Sequence, residues 1–403
     1  MASEEIEAQI SNLGSDLEQN LRTRESTPRE RSSSRVRSRS ESTHKGRGRN
    51  KSKISSIHTD ESYTGLSFNS LPSSTSHWTL ICLESVGVYY KDKALSVPGV
   101  FDMVYEHTGL FETPSSDQIE FVKKLKDEIT FSFSISDLSR YNNKGFYRET
   151  FQNLKKDLPS PVEDFTTSTL LLVHYAIERE KYGGKISEAV FKDLFKSFVK
   201  MVNLVPGQGE EWTSQMTILQ QDVTSESNVV IMTKDFLNSI PPSIVSVVSI
   251  VEVKNLCGGV NESSHLKTHM KTRPIRGADL ETASSCSEKS VHEEPAIYRR
   301  IPQAVLGQHG GELLVHARAY GGRFASKKKR CRLHPGMIVI GTRVTLTVLE
   351  YNFDHMDELQ NNSENENSRS YIYYSEPKDF LKKEDRDLLM ESFIRLSNIK
   401  PEC

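Results

Sequence analysis

Apolar side chains recur along this chain in two periods, one helical and one strand-like, separated by stretches with no period at all. Ile6, Ile10, Leu13, Leu17 and Leu21 fall at steps of three and four and predict a short amphipathic helix over residues 4–21. It is either a marginal helix that forms on a partner or a self-association stripe. Trp78–Tyr90 (WTLICLESVGVYY) has the aromatic and β-branched content of a long strand, bent at Gly87. Ser115 and Gln118 make a capping box for a helix with Ile119, Val122 and Leu125 on one face. Phe131–Ile135 (FSFSI) alternates as a strand, and Thr169–Ile177 reads as either strand or helix. The clearest helix is Ser187–Val202, with Val190, Phe191, Leu194, Phe195, Phe198, Val199 and Val202 along one face. Strands are predicted at Met216–Leu219, Val229–Met232, Ile244–Val253 and Thr342–Tyr351. The YIYY run is set off by a polar loop, Gln360–Ser370, and leads to a helix over Lys378–Leu396.

These elements predict a β-rich α+β fold, a sandwich-like body behind a disordered basic N-terminal arm. The expected divisions are an acidic helix at 1–21, an Arg/Ser-rich arm and linker at 22–77, a β-rich α+β body at 78–256, a flexible linker at 257–296, and a second β-rich unit with a C-terminal helix at 297–403.

Charge sharpens this picture. The 403 residues have a net charge of -2, a mean hydropathy of -0.51 and 36% hydrophobic content, so much of the chain lies outside any core. Residues 1–21 carry -5 and residues 22–53 carry +9, which leaves -6 for the remainder. Such blocks behave as interaction tails. Val36 is the single aliphatic or aromatic side chain between Arg22 and Lys53, too little apolar surface to offset the entropy of ordering. The start MASEEIEAQ is acidic with no apolar stretch behind it, so secretion is not expected, and the apolar run Ile244–Val253 is too short for a bilayer span. Five scattered cysteines without a CxxC pair fit a reducing compartment and give no zinc spacing.

Catalytic templates are absent: no phosphate loop, dinucleotide fingerprint, HExxH or nucleophile elbow. No cofactor or metal is expected. His265 and His269 have helical metal-ligand spacing but sit in the polar linker, and Gly307–Gly311 (GQHGG) reads as a glycine turn or a backbone anion nest. The basic arm carries the chemistry. Arg22, Arg24, Arg29, Arg31, Arg35, Arg37, Arg39, Arg47 and Arg49 can meet successive phosphates and release counterions, and so bind RNA or another polyanion with little sequence discrimination. Ser32, Ser33, Ser34, Ser38 and Ser40 beside them are candidate phosphosites that would interleave negative charge. A second basic run, KKKRCR, places Lys327, Lys328, Lys329, Arg330 and Arg332 as a nuclear-import signal or phosphate patch. Lys192, Lys196 and Lys200 line the polar face of the Ser187–Val202 helix, a solvated face or a contact for membrane headgroups or nucleic acid.

Two stretches, VHARAYGGRF followed by TRVTLTVLEY, and YYKDKALSVPGVFDMVYEHTGLF, resemble parts of rhabdovirus matrix proteins. The resemblance spans about a seventh of the chain and implies a virion protein bridging nucleocapsid and membrane; it transfers no functional residue. The leading expectation is a non-enzymatic viral matrix-, capsid- or movement-type protein that binds RNA through the arm and forms homo-oligomers through the body. It would occupy nucleus and cytoplasm of a host cell, with a nuclear-import receptor and a membrane surface as further partners. The alternative is a cellular nuclear RNA-binding or adaptor protein with an Arg/Ser-rich tail.

Overall fold

The computed structural model describes residues 71–140, 159–182, 184–233, 247–255, 294–320, 325–326, 330–361 and 369–398. The chain divides into two units between Gly65 and Leu66, and every described residue belongs to the second. The helix expected at 1–21, the arginine arm and nearly all of the 257–296 linker lie outside the described residues.

The fold is α+β. Its spine is a mixed sheet built from β1 (Val88–Tyr90), β2 (Val205–Gln208), β5 (Val229–Met232), β6 (Val247–Lys254), β7 (Cys331–Ile340), β8 (Arg343–Asn352) and β9 (Ser370–Tyr374), in the order β1-β9-β8-β7-β6-β5-β2, with β10 (Lys378–Asp379) on β8. β3 (Ser214–Ile218) and β4 (Gln221–Ser225) form a separate hairpin. β6 joins β7, and β1 joins β9, in parallel; the other pairs are antiparallel. The central strands are buried on both faces, which is why VVSIVEVK in β6 is nearly continuous in apolar residues. β7 and β8 are a hairpin turned at Gly341, whose φ of 61° suits glycine.

Helices cover both faces. On one lie α2 (Val97–Thr108), α3 (Ser116–Glu128), α4 (Ser160–Tyr182), α5 (Glu188–Met201) and α9 (Lys383–Phe393), packed on Leu333, Met337, Val344, Leu346 and Val348. On the other lie α1 (Leu80–Ser85), α6 (Ala296–Arg300), α7 (Gln303–Tyr320), α8 (Phe353–Asn361) and the β3–β4 hairpin, packed on Ile250, Ile338, Leu349 and Tyr351. The capping box at Ser115 and Gln118 forms as expected, with Val122 and Leu125 buried, but Ile119 is exposed. α5 matches its predicted helix, capped by Ser187, with Phe191, Leu194, Phe195, Phe198 and Val199 inward.

Several expectations are corrected. Trp78–Tyr90 is not one long strand; α1 interrupts it because Leu80 and Leu83 turn inward against α7, and only Val88–Tyr90 pairs. Folded structure begins before Trp78, since its indole donates to Pro72 O at 3.0 Å and Thr224 N donates to Ser73 O at 2.8 Å. The FSFSI segment joins no sheet; Phe131 and Phe133 are buried, Arg386 takes the Phe131 carbonyl, and the Phe133 N–H donates to Leu381 O. Thr169–Ile177 lies within α4. GQHGG is neither turn nor nest but the middle of α7, where Gly307, Gly310 and Gly311 let the helix touch Thr79, Leu83 and Trp78. A Cβ at Gly307 would come within 2.1 Å of the Thr79 carbonyl carbon. Leu313–Tyr320 is therefore helical, and α9 starts at Lys383, after β10. The 78–256 and 297–403 segments are not independent units: β6 and β7, and β1 and β9, hydrogen-bond across them in one sheet.

Candidate nucleic-acid interface

Register brings one basic region together. Cys331 pairs with Asn352, Glu350 with Tyr371, and Ser370 with Val88, so the start of β7, the end of β8 and the starts of β9 and β1 share one end of the sheet. Arg330, at the head of β7, is 79% exposed and has Nη1 3.6 Å from Asp354. Arg318, near the end of α7, and Arg369, just before β9, are exposed, and Lys91 continues β1.

The two arginines of the KKKRCR run that are described have different environments. Arg332 is half-buried: its Nη1 donates to the Tyr351 hydroxyl at 3.3 Å and its guanidinium lies 4.9 Å from the Phe353 ring centre. Between them Cys331 is buried, its Sγ 3.6 Å from Glu350. The cationic surface here therefore starts with Arg330, while Arg332 braces β7 against β8 and α8. Lys327, Lys328 and Lys329 lie outside the described residues. So do Arg22, Arg24, Arg29, Arg31, Arg35, Arg37, Arg39, Arg47 and Arg49, the serines Ser32, Ser33, Ser34, Ser38 and Ser40, and the His265/His269 pair.

The lysine face of α5 is only partly free. Lys200 is exposed, but Lys192 and Lys196 are half-buried, and burial pulls the Lys196 ammonium below its usual pKa, helped by Lys192 and Lys200 and opposed by Asp193.

The densest group of titratable side chains lies inside, between α7 and the sheet. His309 Nε2 meets Thr347 Oγ1 at 2.7 Å, His316 Nδ1 meets Ser214 Oγ at 3.0 Å, and His334 of β7 lies among them. Glu312 accepts from Gln308 at 2.9 Å; Glu252 of β6 accepts from Asn228 at 2.6 Å and pairs with Lys254 at 2.5 Å. Burial pulls His309 and His334 down to about 3 and His316 to about 4. Burial, reinforced by Glu252, holds the Glu312 carboxyl well above its usual range, so the pair shares less than its full charge. His309, Glu312, His316, His334 and Glu252 have no exposed surface, so as folded they offer no atom to a substrate. Their chemistry is that of a buried polar seam whose histidines are held uncharged and whose Glu252 pairs with Lys254. Sequence reasoning passed over it, although His309, Glu312 and His316 at i, i+3 and i+7 mark one helical face among apolar neighbours. Among the described residues no cluster of His, Cys, Asp and Glu is arranged to hold a metal ion, and no helix is long and apolar enough to cross a membrane.

No protein-family model matches the chain, and no curated protein matches it.

Proposed function

We propose that this chain is a non-enzymatic, nucleic-acid-associated structural protein, in which the arginine arm at 22–53 holds RNA and the α+β body assembles with further copies. The observation that carries the reading is the charge segregation: +9 over residues 22–53 in a chain whose net charge is -2. Concentrated on a segment with almost no apolar side chains, that charge is spent on counterion displacement, not on a core. The exposed Arg330, Arg369 and Arg318 at one end of the sheet extend the same chemistry onto the body. A virion matrix, coat or movement-type protein of a host cell's nucleus and cytoplasm is the form of this reading we favour.

The interleaved Arg/Ser texture favours a second reading, a cellular nuclear adaptor with a phosphorylatable tail. Sedimentation velocity of the full chain with and without RNA separates the two. A structural protein forms regular oligomers that change size when RNA is added. A chain that stays monomeric with RNA bound to it contradicts the assembly half of the proposal.

A further inference from the structure

Three half-buried tyrosines gather on one face of the sheet. Tyr89 of β1 and Tyr371 of β9 are register partners on neighbouring strands, and Tyr373 follows two residues along β9, so all three stand on the same sheet face. Further along that face Leu333, Leu346 and Val348 are sealed under helices, whereas Tyr89, Tyr371 and Tyr373 are only half-buried. Among the described residues β1 is the edge of the sheet.

Cations sit among these rings. Lys91 Nζ lies 3.6 Å from the centre of the Tyr371 ring and 5.4 Å from that of Tyr373, and the Arg369 guanidinium lies 5.3 Å from the Tyr89 ring. One ring is anchored from below: Tyr373 donates its hydroxyl to Glu350 Oε2 at 2.8 Å, and burial with that carboxylate keeps the phenol protonated. Aromatic faces spaced along and across strands, each with a cation over it that a base can displace, match the two halves of an unpaired nucleotide. The rings take the base by stacking, and Lys91 and Arg369 swing to the phosphates.

We infer that Tyr89, Tyr371 and Tyr373 form a stacking platform for the unpaired bases of single-stranded nucleic acid. The inference rests on the nucleic-acid reading above and adds a ligand class to it, since an arm of arginines alone attracts any polyanion while a platform requires exposed bases. Duplex hides base faces in its own stack and gains nothing from the tyrosines.

The test titrates the full chain with a short single-stranded RNA and with an oligonucleotide of equal length and charge lacking its bases, at one salt concentration. The arm contributes equally to both, so their ratio isolates the platform. The expected result is tighter binding of the base-bearing strand by about tenfold or more, a preference that Tyr371→Ala or Tyr89→Ala lowers by about tenfold and Tyr371→Phe keeps. Photocrosslinking from 4-thiouridine RNA should label residues 369–374, a signal that a merely structural tyrosine would not give. Equal binding of the two strands by the intact chain overturns the platform and leaves the arm's role standing, and it does so even if an alanine variant fails to fold. Binding of neither strand removes both. Preference retained in Tyr371→Ala and Tyr89→Ala, or a platform that captures protein and not RNA, also overturns it.

Discussion

Replacing Arg386 by alanine should destabilise the body more than any other single loss of a polar side chain among the described residues. Arg386 has no exposed surface, and its guanidinium donates to four carbonyls: Phe380 O at 3.3 Å, Leu381 O at 3.1 Å, Ile129 O at 3.0 Å and Phe131 O at 2.6 Å. It also lies 4.7 Å from the Phe131 ring centre. Burial lowers its pKa to about 10, opposed by Asp387 and Asp379, so it stays charged at neutral pH. A hydrogen bond to a charged group is worth about 1.5–3 kcal/mol, but four of them must offset the several kcal/mol spent in desolvating the cation. Removing the side chain takes this donor from four buried carbonyls, of which Leu381 O keeps the Phe133 N–H, and partial entry of water limits the net loss to about 3–5 kcal/mol. That is a large share of a domain's roughly 5–15 kcal/mol. Urea denaturation of Arg386→Ala should show this drop, and amide exchange should quicken over residues 129–135, the segment that Arg386 holds in place of a ladder. A loss below about 1 kcal/mol with an unchanged urea slope would refute the reasoning.

The aromatic core under α5 makes a second case. Phe195 and Phe198 pack on Phe380, the latter stacked at 5.1 Å, so Phe195→Ala should cost about 3–5 kcal/mol by urea denaturation, while Lys200→Ala on the exposed face leaves the midpoint unchanged. The histidine seam predicts acid sensitivity. His309, His316 and His334 bind protons more readily unfolded, where the usual pKa is about 6.5, than folded, so stability falls as pH drops from about 6.5 towards 4, by up to about 4 kcal/mol per pH unit for three groups. The raised Glu312 and Glu252 act oppositely: their contribution is full below about 4.5 and is lost as pH rises through their folded values. His334→Gln should flatten the acid limb of the urea midpoint against pH by about a third; an unchanged limb would show that His334 is charged in the fold. For nuclear entry, alanine at Lys327, Lys328, Lys329 and Arg330 should leave melting intact and hold the protein in the cytoplasm of transfected cells, with Arg332 left in place because it packs on Phe353. Undiminished nuclear signal would dismiss the import role.

The amphipathic elements were legible because one face of each decides its state. The period of α5 and the capping box of α3 depend on neighbours a few residues away. Elements governed by distant partners were not. FSFSI alternates like a strand, yet Arg386, more than 250 residues along the chain, takes the Phe131 carbonyl, and Leu381 takes the Phe133 N–H. GQHGG has the composition of a turn, but its glycines serve a helix crossing whose other side is Trp78, Thr79 and Leu83. That the two expected units share a sheet was not legible, because parallel pairing of β1 with β9 and of β6 with β7 leaves no local sequence signal. The basic runs were visible as charge, while the inward use of Arg332 and the grouping of Tyr89 with Tyr371 required the register.

The central claim, that the arm carries nucleic-acid affinity, is tested most directly by RNA titrations of the full chain and of a chain lacking residues 22–53, across a series of salt concentrations. With +9 available over those residues, the affinity of the full chain should fall by about three orders of magnitude or more between 50 and 200 mM salt, and the deletion should lose most of both the affinity and the salt dependence. Equal affinity of the two chains at matched salt, with equal slopes, would contradict the account.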